Sequence, residues 1–336
     1  MKKNNIITKM KIKNKFIILS IILLLTVVIS LLCGSSKMNI IDCIIGLFTN
    51  KNITFSIIMR NVRLPRIIAS ILAGVGLSVS GLIIQSITDN SLASPNIIGV
   101  NSGAGLFVIL LLFLLPNMYY LTPFASFIGA FLTTLIIIII SQKINNNKST
   151  IILAGIAITA LFNGVISLIT LLDNDVLSTY KYFSIGGLNG VTFDLLYIPL
   201  LLIVLSITIF YIFVSKIEIL SLGDELAKSL GINIKFIKFI ALVCASCLAS
   251  SVVSFAGLLG FVGLVVPHIS RKIINGNLKQ NLIGSILLGA IVMLIADTIG
   301  RCLFLPTELP VGIVMSFIGG PFFLYLLLRR KTYVED

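Results

Sequence analysis

The residues that could do chemistry in this sequence are few and lie scattered among apolar segments. His268 is the only histidine, and Cys244 and Cys247 form a C-x-x-C with no second cysteine pair or histidines nearby. A protein metal site needs three or four such ligands close together. The sequence therefore predicts no metal site and no cofactor, and the two cysteines are interpreted as packing residues.

The stretch GDELAKS (223–229) is the nearest approach to a phosphate-binding loop. It lacks the glycine that should precede the lysine, and G-x-x-x-x-G-K-[ST] occurs nowhere else in the chain. We therefore expect the chain not to be an enzyme. If nucleotide hydrolysis drives its function, the hydrolysis must take place on a separate subunit.

Asp297 is the one acid inside a long apolar run, where an unpaired charge is costly. Arg301 follows four residues later, so the spacing predicts a structural ion pair. No relay of further acids accompanies Asp297. An ion-coupled secondary transporter is therefore a weaker alternative, and a membrane scaffold without transport activity is another.

The elements that hold these residues are hydrophobic throughout. Of 336 residues, 57% are hydrophobic and 11% charged, against about a quarter charged in a soluble domain. The composition predicts an all-α polytopic membrane protein with about ten transmembrane helices. The apolar runs lie at 16–33, 64–87, 97–115, 121–140, 151–172, 195–214, 236–254, 256–268, 282–304 and 309–328.

Basic residues assign the sides of the membrane. Six lysines lie within residues 2–15, and three basic residues follow the last run, so both termini are expected in the cytoplasm. The net charge of +13 sits beside the apolar runs and indicates membrane lipid, not nucleic acid. We divide the chain into a basic segment (1–15), one permease domain (16–328) with a cytoplasmic loop at 216–235, and a tail (329–336).

Lys238 and Arg271 are both expected at the cytoplasmic side, with one outward and one inward pass between them. The segment between them is too short for two full spans. The short or broken helix is expected in the eighth run, because that run contains Gly257, Gly260, Gly263 and Pro267.

Two short stretches lie outside this pattern of apolar spans. RNVRLPR (60–66) puts three arginines at the outer face, where positive charge is rare. We interpret it as an exposed surface for an acidic partner, with Pro65 in the first turn of the second helix.

The second stretch, SLGDELAKSLGI (221–232), spaces three leucines four residues apart on a short cytoplasmic helix. With one lysine against two acids, docking to a partner protein is favoured over lying on the lipid surface.

Several motifs together resemble one family, the FecCD-type permeases of importers for ferric siderophores, haem and cobalamin. They cover about residues 60–328 in order. The motifs are RLPR (63–66), LAGVGLSVSGLIIQ (72–85), NSLASPNIIGVNSGA (90–104), LAGIAI (153–158), LSLGDELAKSLG (220–231), GFVGLVVPHISR (260–271) and PTELPVGIVMSFIGGPFFLYLL (306–327).

The resemblance implies a cobalamin-permease-like bundle in a bacterial cell membrane. It implies a dimer with a second copy or a paralogous permease, two ATP-binding cassette subunits below and a substrate-binding lipoprotein above. An iron chelate (a ferric siderophore) is the expected cargo because it is the broadest class carried by the family, with haem or cobalamin as alternatives, and it would be moved inward by alternating access.

Site residues carried over from the resemblance form three groups. The binding-protein docking positions are Arg63, Arg66 and Arg301. The ATPase coupling helix comprises Leu222, Gly223, Asp224, Glu225, Leu226, Ala227, Leu230 and Gly231. The cytoplasmic gate comprises Asn90, Leu92, Lys148 and Ser149.

The sequence departs from the family pattern in three places. Ser91 stands where the family usually has proline, the tryptophan expected before Gly186 is absent, and AGLLGF (256–261) lacks the family's proline.

Overall fold

A computed structural model of the chain describes residues 2–34, 46, 53–143, 148–221 and 223–331. Those residues form helices and connecting turns, with no strand among them, which confirms the all-α prediction. The twelve helices that we label are α1 (Lys2–Leu32), α2 (Leu64–Thr88), α3 (Val100–Leu114), α4 (Thr122–Lys143), α5 (Lys148–Leu172), α6 (Asn174–Ile185), α7 (Phe193–Leu220), α8 (Asp224–Ser229), α9 (Ile234–Ala256), α10 (Val262–Ile274), α11 (Leu278–Cys302) and α12 (Val311–Lys331).

Seven of the described helical segments are long and apolar enough to cross a membrane, and α3 and α12 contain shorter apolar stretches. Helix α10 has 13 residues. At about 1.5 Å per residue it covers roughly 20 Å, less than the ~30 Å of a bilayer's hydrocarbon core. The total of ten passes therefore stays a prediction.

Helix α2 is the centre of the bundle. It packs against α11, α9 and α10, and nearly all of its side chains are buried. Small residues permit this closeness, because a Cβ atom on Gly74 would overlap the backbone of Gly289, and one on Gly81 would overlap that of Gly263. The glycines of the motif at 72–85 therefore serve close helix packing.

The predicted break in the eighth run is confirmed. Helix α9 ends at Ala256, Gly257 follows with φ 68°, and α10 begins after Phe261, which has φ 65°. A left-handed phenylalanine is rare. The Phe261 ring packs directly over Gly319 of α12, where a Cβ atom would overlap it. The turn therefore depends on contact with a distant helix.

Two features were not predicted. Helix α6 lies between α5 and α7, capped by the Asp173 carboxylate, which accepts from the backbone N–H groups of Asp175 (2.9 Å) and Val176 (3.1 Å). The second is that α2 continues backwards through a π-helical turn (Ile58–Arg63) to Ile53. The D-N-D sequence at 173–175 was an available signal for α6.

We predict that Gly81→Val lowers the stability of the fold, by about 1–3 kcal/mol or more, because its side chain must displace the backbone of α10. The measurement is the thermal midpoint of the detergent-purified protein. Gly164→Ala is the matched control, since a Cβ atom there meets nothing within 4 Å. Equal midpoints for the two variants would contradict the close approach of α2 and α10.

Candidate functional site: an outer ionic cluster, a coupling helix and a gate loop

Arg66 is the centre of a polar cluster at the end of the bundle that is predicted to face outward. It lies in the first turn of α2, directly after Pro65, which occupies the helix start as predicted. Its Nε donates to both carboxylate oxygens of Asp297, at 2.9 and 3.2 Å. Its Nη1 donates to Glu308 Oε2 at 2.6 Å and to Asn189 Oδ1. One guanidinium group thus joins α2, α11 and two outer loops.

Arg301 shares the same carboxylate. Its Nε lies 3.0 Å from Asp297 Oδ2, one helical turn away, which confirms the predicted ion pair. Its other nitrogens donate to Ser30 Oγ at 2.6 Å and to the carbonyl oxygen of Cys33 at 3.0 Å. Arg301 therefore connects α11 to the end of α1.

Arg63 also binds the end of α1. Its Nη1 donates to the carbonyl oxygens of Leu31 and Leu32. The last carbonyls of a helix have no partner within the helix and carry partial negative charge. Arg63 and Arg301 supply the missing donors for this helix end.

The expectation that these arginines are exposed is wrong for the folded chain. Arg63, Arg66 and Arg301 are only 3, 6 and 3% exposed. The physical reason is that their partners surround them, and a guanidinium group at this depth is stable only when it is paired. The presence of these arginines on the predicted outer side is therefore explained first by their ion pairs and hydrogen bonds within the chain.

Glu308 is the most accessible acid of the cluster, with 19% of its side chain exposed. The sequence interpretation missed it as a partner of Arg66, although it is the only acid in the TELP stretch between α11 and α12. The three arginines and two carboxylates leave the cluster with one net positive charge.

The coupling helix α8 is short and bounded by two glycines in unusual conformations. Gly223 precedes it with φ 124° and Gly231 follows it with φ 73°, so the helix ends where the sequence indicates. Leu226 and Leu230 are 57 and 66% exposed, whereas Ala227 is fully buried. Leu222 and the side chain of Asp224 lie outside the described part of the chain.

The gate loop follows α2 at the opposite end of the bundle from Arg66. Asn90 closes a tight turn: its Oδ1 accepts from the backbone N–H of Leu92 at 3.0 Å, and its carbonyl accepts from Ala93 at 3.1 Å. The chain then continues into a 3₁₀ turn (Pro95–Ile98) against which α5 packs. Lys148 and Ser149 begin α5, but their side chains lie outside the described residues.

We predict that Asp297→Asn destabilises the fold by about 3–5 kcal/mol, because it leaves two buried guanidinium groups without their shared counter-charge. The measurement is the denaturant midpoint in mixed micelles. The control is Glu308→Gln, which keeps an acceptor oxygen at a more open position. Its loss of stability is expected to be clearly smaller than that of Asp297→Asn. Equal losses would contradict the central role of Asp297.

Comparisons with known proteins agree with one another. The profile of the FecCD transport family matches residues 22–329. The chain is 38% identical over 315 residues to the Fe(3+)-citrate import system permease protein YfmE of Bacillus subtilis (strain 168), covering 93% of each chain. It is 34% identical over 326 residues to a heme-iron transport system permease protein, IsdF, of Staphylococcus aureus (strain MSSA476), covering 96% of this chain and 99% of that one.

A solved structure is also similar over nearly the whole chain. It is described as an ABC transporter of the metal-chelate type in an inward-facing conformation. The TM-score is 0.82 at 26% identity, covering 94% of this chain and 98% of that one. With its helical bundle and its match across residues 22–329, the chain belongs to the FecCD family and is a permease subunit of an ABC transporter.

Proposed function

We propose that this chain forms the transmembrane path of a bacterial cell-membrane importer for an iron chelate. The observation that carries the proposal is its similarity, over more than nine-tenths of its length, to permeases named for iron citrate and for heme iron. An iron chelate of the citrate or siderophore type is the first candidate, because the identity to the citrate permease is higher. Haem is the second candidate, supported by the IsdF similarity, and cobalamin remains the third.

We propose alternating access driven by two ATPase subunits. The chain has no phosphate loop of its own, so the energy must enter through a contact surface. Helix α8 suits that role: Leu226 and Leu230 are exposed, while buried Ala227 fixes the helix against the bundle. Movement of α8 would shift the relative stability of inward-open and outward-open arrangements.

Ion-coupled transport is less well supported. A proton carrier must exchange protons with water during its cycle, yet both carboxylate oxygens of Asp297 are held by arginines at 1% side-chain exposure. Among the described residues, no group of three or more histidines, cysteines, aspartates and glutamates could hold a metal ion.

A second permease copy is proposed to cover α5. This helix exposes large apolar side chains along much of its length, and α12 exposes others, among them Leu153, Ile156, Leu161, Leu168, Phe317 and Leu324. In a monomer these faces would meet lipid. In a dimer they would enclose a weakly polar path, which suits cargo whose affinity is provided by a separate binding protein.

The outer cluster is proposed as the landing site of that binding protein. Although the arginines are buried, the cluster has one excess positive charge, and Glu308 lies at its rim. An acidic side chain on the partner would compete with Glu308 for Arg66 Nη1.

The opposite, cytoplasmic end of the path is proposed to be closed by four gate residues, Asn90, Leu92, Lys148 and Ser149.

The function is tested by reconstituting the permease with its ATPase and binding protein in liposomes and measuring the uptake of radiolabelled ferric citrate and haem. We expect ATP-dependent uptake, none without the ATPase, and no ATP hydrolysis by the isolated permease. Leu226→Asp should abolish uptake by releasing the ATPase, whereas Leu226→Met, which keeps the apolar surface, should retain it. Uptake driven by a proton gradient alone would overturn the proposal.

Docking is tested with Glu308→Gln, because reversing the charge of Arg66 would also break its buried contacts. Removing the competing charge should tighten binding of the partner by about two- to tenfold at low salt, with the gain shrinking as salt rises. Affinity is measured with the permease in nanodiscs. Unchanged or weaker binding would count against Arg66 as the acceptor of an acidic partner.

A further inference from the structure

A cavity of about 380 Å³ opens at the cytoplasmic end of the bundle, between the gate loop and the segment that leads into α8. Four helix ends meet there: the end of α2, the end of α7, the last turn of α10 and the first turn of α11. The side chains that carry the argument are Asp89, Asn90, Glu218, Ser221, Arg271 and Asn281.

The walls of this cavity are built by specific contacts. Arg271 Nη1 donates to Gln85 Oε1 at 2.8 Å, and the Gln85 side chain is buried. Glu218 Oε1 accepts from the backbone N–H of Leu278 at 3.2 Å. These contacts hold α2 to α10 and α7 to α11, so the cavity is a feature of the packed bundle.

One buried acceptor in the wall has no partner. Asn281 is 7% exposed, and its Nδ2 donates to the carbonyl oxygen of Gly276 at 2.9 Å. That bond sets the orientation of the amide, because the reversed amide would place two oxygens against each other. Asn281 Oδ1 then accepts no hydrogen bond within the described chain. A buried oxygen of this kind calls for a donor, and with less than 1 Å² of accessible area it can meet one from the cavity only when the wall shifts.

The charge of the lining indicates which donor. Asp89 and Glu218 contribute two negative charges and Arg271 one positive charge, so the cavity has one net negative charge. Asp89 interacts electrostatically with Arg271, and Arg271 already donates to Gln85. A long side chain ending in an ammonium or guanidinium group would neutralise the excess charge and donate to the carboxylate oxygens of the lining.

We propose that this cavity receives a basic side chain of the ATPase subunit, as a second contact beside α8. Ser221 lines the cavity and directly follows α7, three residues before α8 begins, so the cavity continues the proposed ATPase surface. The inference rests on that proposed function. Because Asn90 lines the same cavity, the inserted side chain lies against the gate loop and transmits ATPase movement to it directly.

The test is the double variant Asp89→Asn with Glu218→Gln in the complete permease. Asparagine tolerates the left-handed backbone of Asp89 (φ 50°), and glutamine keeps an acceptor for the Leu278 N–H. Because Asp89→Asn also removes a counter-charge of Arg271, the thermal midpoint of the double variant is measured together with its affinity. We expect the affinity for the ATPase, measured in nanodiscs at low salt, to fall about tenfold, with the difference shrinking as salt rises. The control is Asp175→Asn, the same chemical change at an exposed site on α6.

A further variant keeps the test informative. Glu218→Lys should weaken the complex more than Glu218→Gln, and changing one lysine or arginine of the ATPase to glutamate should restore its affinity. Unchanged affinity in the double variant overturns the inference. It is also overturned if the loss appears only when potassium or a polyamine is present, because a free cation would then be the occupant. Release of the ATPase by Leu226→Asp with no effect of the cavity variants would leave the proposed function standing and remove only this contact.

Discussion

The pairing of Asp297 with two arginines is the interaction on which the outer end of the bundle depends. Its two oxygens contact Arg66 and Arg301, which in turn bind an outer loop and the end of α1. In a low-dielectric interior no member of this set is stable without the others. The same contacts that stabilise the outer end therefore determine which charges remain available to a partner.

Two kinds of packing meet in this molecule. Around α2, glycine-to-backbone contacts bring the helices into close packing. At the cytoplasmic end, polar contacts such as Arg271–Gln85 and Glu218–Leu278 surround a cavity instead. A closely packed centre with a polar, open end suits a permease that is moved from outside by partner subunits.

Much of this molecule could be predicted from its sequence. The helical class depends on composition, the break before α10 and the Asp297–Arg301 pair depend on nearby residues, and the family depends on motifs spread along residues 60–328. All four are confirmed. The exposure of Arg63, Arg66 and Arg301 was predicted wrongly, because apolar patterning does not reveal which distant groups surround a charge. The roles of α8, the gate loop and the arginines in binding partners remain predictions.

The sequence by itself determined that the chain is helical and located the break before α10, because hydrophobic patterning, glycine and proline act over a few residues. Only the tertiary structure decided which charges meet. Arg66 lies 231 positions from Asp297 and 242 from Glu308, and Glu218 lies 60 positions from the N–H that it accepts. Such pairs form when helices pack in three dimensions, and no local pattern encodes that arrangement.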